Sequence, residues 1–121
     1  MIHYITKREK IYSKYDGRCA YCGELLKKGW HIDHIKPVLR GYNNYLNPEN
    51  DTIENSNPAC PSCNIQKKDF TIEQFRHNIK RFVVSLNKYS TQYKFAKKYG
   101  LITENDIEVK FYFETYESTK H

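Results

Sequence analysis

The sequence has no long apolar run. Nowhere do the 18 or so hydrophobic residues of a membrane span follow one another, and the opening MIHYITKREK carries charge where a secretory leader would carry its apolar region. Both absences lead to the expectation of a soluble cytoplasmic, intracellular protein that makes no use of a membrane. Glycine and proline are scarce, five and four in 121 residues, and no internal repeat or low-complexity tract breaks the chain, which excludes fibrous and linker-like classes. Cysteine is limited to four residues, too few for a disulfide-dense secreted scaffold. Acidic residues are also the minority, 14 against 20 Lys plus Arg. What the chain does have is aromatic side chains, 11 tyrosines and 6 phenylalanines, which argue for a packed core over disorder.

The charge is uneven. Residues 1–98 hold 18 basic and 9 acidic side chains, and residues 99–121 hold 2 and 5. A positive surface attracts polyanions through counterion release, although a solvated basic face that binds nothing specific has the same composition. At this length one domain spanning 1–121 is expected, and only about two thirds of the unfolded surface can be buried, so an extra staple would help.

The cysteines supply one. They form two pairs, Cys19-Ala-Tyr-Cys22 and Cys60-Pro-Ser-Cys63, each of C-x2-C spacing. Two such knuckles in an intracellular chain favour a tetrahedral thiolate Zn²⁺ over disulfides or free core thiols, because each bend aims two sulfurs at one point. Four thiolates fill the coordination sphere, so the ion holds the fold and leaves no open position for chemistry.

Between the knuckles, His31-Ile-Asp-His-Ile-Lys-Pro37 places two histidines and an aspartate within four residues. Its surroundings read as a short helix over 7–15 opened by a Thr6 to Glu9 capping box, a strand within 29–39, and a long Asn-rich loop over 40–54. A helix from Pro61 to about Lys68 follows. Thr71 caps the next helix, whose Ile72, Phe75, Ile79, Phe82 and Leu86 make one apolar stripe expected to be core. A helix near 91–99 ends at Gly100, and Ile107, Val109, Phe111 and Phe113 alternate as in a final strand.

Cys19/Cys22, the HIDHIKP stretch, Gly41, Asn55, Pro58 to Cys60, Ser62 to Asn64 and Lys67, in that order, resemble the HNH endonuclease family, in particular its four-cysteine, phage-like members. The resemblance covers about residues 19–76, leaving about 77–121 as an extension. It implies an α+β fold with a ββα-metal core stapled by the four-cysteine zinc site, with additional helices and the C-terminal strand around it. It implies a phosphodiester hydrolase acting on DNA, with His34 as the base that activates water, Asn55 supporting the loop and orienting that histidine, and Asp33 and Asn64 as ligands of a catalytic cation. Asn57 is the alternative to Asn55 in the middle position.

Carboxylate plus amide oxygen is a hard donor set, which favours Mg²⁺ or Mn²⁺. Lys67 and Lys68, at i+3 and i+4 from Asn64, and Arg40 in the loop are expected phosphate contacts. His31, on the same strand face as Asp33, is a DNA contact, a third ligand or a structural histidine. Tyr42 and Tyr45 either stack on bases or pack back on the domain. His3, His77 and His121 have no supporting context and are expected at the surface. The alternative of another class is a zinc-stapled DNA-binding module without cleavage. A monomer that nicks and a homodimer that cuts both strands are equally compatible with the residues.

Overall fold

In a computed structural model, residues 4–117 are described. His3 and His121 lie outside them. The element order is α1 (Lys7–Ser13), β1 (His31–His34), a 3₁₀ turn (Pro48–Asn50), β2 (Ser56–Ala59), α2 (Pro61–Lys67), α3 (Ile72–Tyr89), α4 (Thr91–Lys98) and α5 (Tyr112–Thr115). Among the described residues, no helix is long and apolar enough to cross a membrane.

Local chemistry accounts for these boundaries. Thr6 Oγ1 accepts from the Glu9 amide and Thr71 Oγ1 from the Gln74 amide, so the first turns of α1 and α3 each have one of their free donors satisfied. Pro61 fills the first turn of α2, where no amide hydrogen is needed. Strands β1 and β2 pair antiparallel, in a register that sets Asp33 opposite Asn57 and His34 opposite Ser56. β2 is buried along its whole length, because its far side is covered too: the Ala20 amide donates to the Pro58 carbonyl at 2.8 Å. This two-stranded sheet followed by α2 is the ββα unit expected from the sequence.

The core is small and aromatic. Cys19, Ala20, Tyr21, Ala59, Cys60, Phe75 and Phe111 are buried together. The Tyr21 ring meets Phe75 and Phe111 edge-on at 5.6 and 5.5 Å, while Phe75 and Phe111 stack at 5.0 Å, both favourable ring geometries.

Two expectations are corrected here. Residues 107–113 form no strand. The chain runs without regular structure to Phe111 and then makes the helical turn α5, held by the Tyr112 and Phe113 amides donating to the carbonyls of Tyr21 and Ala20. Three of the four alternating apolar residues are satisfied by packing: Phe111 is buried, and Val109 and Phe113 lie against the same core, whereas Ile107 is exposed. The stripe on α3 is core only in its first half. Phe75 is buried and Ile72 and Ile79 pack against the core, whereas Phe82 is 48% and Leu86 39% exposed.

Candidate functional site

The four cysteines form a candidate metal centre. At the first knuckle the Gly23 amide donates to the Cys19 carbonyl, and Gly23 has φ +79°, a left-handed bend in which a Cβ would lie 2.9 Å from Tyr112 Cδ1. At the second, the start of α2 carries Cys60 and Cys63, with the Asn64 amide donating to the Cys60 carbonyl. The four Sγ atoms lie within 4.8 Å of one another, and Cys22 and Cys60 are 3.8 Å apart. Tetrahedral Zn²⁺ with Zn–S bonds of about 2.3 Å separates its sulfurs by about 3.8 Å. A disulfide needs about 2.05 Å. The residues fit zinc, and all four cysteines are free. A hydrogen bond from Cys63, foremost, pulls the Cys19 thiol down to about 4, while burial pushes Cys22 up to about 11.

Beside the cluster, β1, the loop after it and the end of α2 enclose a groove of about 520 Å³ lined by His31, Ile32, Asp33, His34, Pro37, Val38, Leu39, Arg40, Asn64, Lys68 and Asp69. It brings together most of the polar residues that the sequence singles out. Asp33 is buried at its inner edge, where Tyr21 Oη donates to Oδ2 and the Lys67 ammonium lies 3.1 Å from Oδ2 and 3.3 Å from Oδ1. Burial raises the Asp33 carboxyl above its ordinary range, and Lys67, then Tyr21, pull it back toward the ionised form. Burial, together with Asp33, pushes the Tyr21 phenol upward, so it remains a donor.

Lys67 corrects an expectation. Its side chain is 0% exposed and also donates to the His34 carbonyl at 3.0 Å, so it is a buried counter-ion and cannot meet a phosphate. Lys68 and Arg40 are exposed on the groove, and the Arg40 guanidinium lies 5.3 Å from the Tyr45 ring centroid. His31 is exposed and opens on the same groove. Tyr42 is 100% exposed at the loop tip, while Tyr45 packs back, edge-on to the His34 ring at 6.0 Å. His77 is exposed on α3, away from the groove lining.

His34 is partly exposed, and its Nε2 is 2.9 Å from Asp51 Oδ1. Asn55 clamps the loop that follows. Its side chain accepts from the Lys36 amide at 2.9 Å and donates to the carbonyls of Lys36 at 2.9 Å and Asn50 at 2.6 Å. Its carbonyl also accepts from the Ile35 amide. Asn57, its rival for the middle position, is buried in β2 with Oδ1 accepting from Tyr15.

Residues 19–70 match the family model described as HNH endonuclease. By this match the segment is similar to the HNH endonuclease family. No curated protein and no solved structure matches the chain.

Three residues around the groove escape a reading of the sequence alone. Asp51 sits among Glu49 and Glu54 in the loop, and nothing in the spacing distinguishes it from them. Asp69 reads as a charge after two lysines. Tyr21, between the two cysteines of a knuckle, reads as a core aromatic, and the second role of its hydroxyl on Asp33 depends on how the knuckle docks against β1.

Proposed function

We propose that the protein is a metal-dependent endonuclease that hydrolyses DNA phosphodiester bonds, acting as one domain over 1–121 with the zinc cluster as its staple. The observation that carries this reading is the convergence, on one groove, of a partly exposed imidazole, a carboxylate and an unengaged amide, flanked by Arg40 and Lys68. The donors suit a hard cation: among the described residues the Asn64 side chain takes part in no hydrogen bond, and both partners of Asp33, Tyr21 and Lys67, are buried. Asp33 and Asn64 would hold Mg²⁺ or Mn²⁺, which when bound neutralises charge developing on the phosphate and leaving oxygens.

The chain's own residues do the rest. His34 takes a proton from the attacking water, a role that suits a group whose ordinary pKa lies near neutrality. Lys67 keeps Asp33 ionised and, through the His34 carbonyl, ties the carboxylate and the base to α2. Asn55 fixes the backbone immediately after His34. Arg40, Lys68 and His31 offer donors to the sugar-phosphate strand.

The test is incubation of supercoiled plasmid with zinc-loaded protein, with Mg²⁺ or Mn²⁺ and without either. Relaxed or linear product that requires the added cation supports the reading. Retarded DNA with no cleavage in any metal would replace it with the non-catalytic zinc-stapled binding module. The relaxed form accumulating first indicates one active site per encounter, and direct linear product indicates a homodimer.

A further inference from the structure

We infer that Asp51 is the positioning residue of the His34 base, accepting the Nε2 hydrogen and thereby assigning proton abstraction to Nδ1. The inference rests on the reading of His34 as the base and adds to it a residue 17 positions away that no HNH spacing marks.

The hydrogen-bond chemistry decides the direction. Asp51 Oδ1 lies 2.9 Å from Nε2, and an ionised carboxylate has no hydrogen to give, so the shared proton is the imidazole's. Neutral imidazole carries one N–H. Once that hydrogen is committed to Asp51, the lone pair that can take a proton from water is on Nδ1. Asp51 is ionised for two reasons: the bond from His34 is the largest influence holding its carboxyl below the usual range, and Lys7 from α1 adds to it at 3.3 Å from the same oxygen.

The carboxylate is also braced. Asp51 closes the 3₁₀ turn, its amide donating to the Pro48 carbonyl at 3.0 Å, and Asn55 Nδ2 holds the preceding Asn50 carbonyl at 2.6 Å. The ring therefore has a carboxylate on one edge and the Tyr45 ring beside it, a restraint on rotation as well as on tautomer. Asp51 reaches the groove only through His34, is not itself part of its lining and has no place in the zinc cluster, which separates positioning from ligation.

Two measurements on zinc-loaded protein test this. The first is NMR of the ring Nε2 proton in nitrogen-labelled protein without DNA, identified by its absence in His34→Ala. A downfield, exchange-protected resonance is expected in the wild type and in Asp51→Asn, whose amide oxygen still accepts, and its loss is expected in Asp51→Ala. The second is plasmid cleavage: Asp51→Ala should lower kcat about 10- to 100-fold with KM for DNA unchanged. Asp51→Asn should recover most of that loss. A ring proton equally protected in Asp51→Ala, or a loss that falls on KM and is not rescued by Asn, overturns the inference. Should wild-type protein show the protected proton yet cleave no DNA in any metal, the nuclease reading fails while the pairing stands.

Discussion

Asp33 and Lys67 show how much of a residue's role depends on what folds onto it. By sequence, Lys67 is one of two adjacent lysines on a helix next to Asn64, and a phosphate contact is the natural expectation. The structure buries it completely against Asp33, because the last residue of α2 faces inward onto β1, whereas Lys68 turns out at the helix end with φ +53°. Helical spacing places neighbours on a face but does not say which face the sheet covers. Breaking a buried pair by removing one partner leaves an uncompensated charge. Lys67→Met should therefore cost about 3–5 kcal/mol in urea unfolding of the zinc-loaded protein, with part recovered by adding Asp33→Asn. A loss below about 1 kcal/mol would mean that the pair is solvated.

At the scale of elements, the helices and the first strand follow from local signals. The Thr6 and Thr71 caps, the proline at the start of α2 and the glycine bend of the first knuckle are self-contained chemistry, and they stand where the sequence puts them. The misread C-terminal strand failed for the complementary reason. Alternation of Ile107, Val109, Phe111 and Phe113 specifies which residues seek cover but not whether a strand edge is there to pair with. Here the knuckle carbonyls of Ala20 and Tyr21 take the amides, and the Arg76 guanidinium bridges Glu73 and Glu114, so packing replaces a ladder. The loop between the strands is held by Asn55, whose three side-chain hydrogen bonds span Lys36 and Asn50. Asn55→Ala should cost roughly 2–3 kcal/mol at about 1 kcal/mol per bond. Amides of residues 36–50 should exchange faster while those of the knuckles keep their protection. Unchanged exchange in the loop would remove Asn55 from its bracing role.

For the whole molecule, the cluster of four sulfurs fits a structural zinc and is the proposed staple of the fold. It joins the segment before β1 to the start of α2, and the groove lies directly against the parts it joins. Structural zinc contributes on the order of 10 kcal/mol, comparable to the whole net stability of a domain of this size. Chelation should therefore unfold the chain, seen as loss of helical circular dichroism that returns when Zn²⁺ is restored. An apo-protein with the same melting midpoint would contradict the staple. This level was the most legible in the sequence, since C-x2-C spacing states its chemistry outright. The exposed second half of the α3 stripe was the least legible, because a periodic pattern is the same whether or not a neighbour packs on it.

The central claim is that His34 abstracts a proton from water in the groove beside Asp33 and Asn64. The most direct measurement is the single-turnover rate of plasmid cleavage by zinc-loaded wild type and His34→Ala in Mn²⁺, with DNA affinity measured in parallel. The account predicts a loss of roughly 10²- to 10⁴-fold in rate at unchanged affinity and unchanged fold. Cleavage by His34→Ala at the wild-type rate would contradict it.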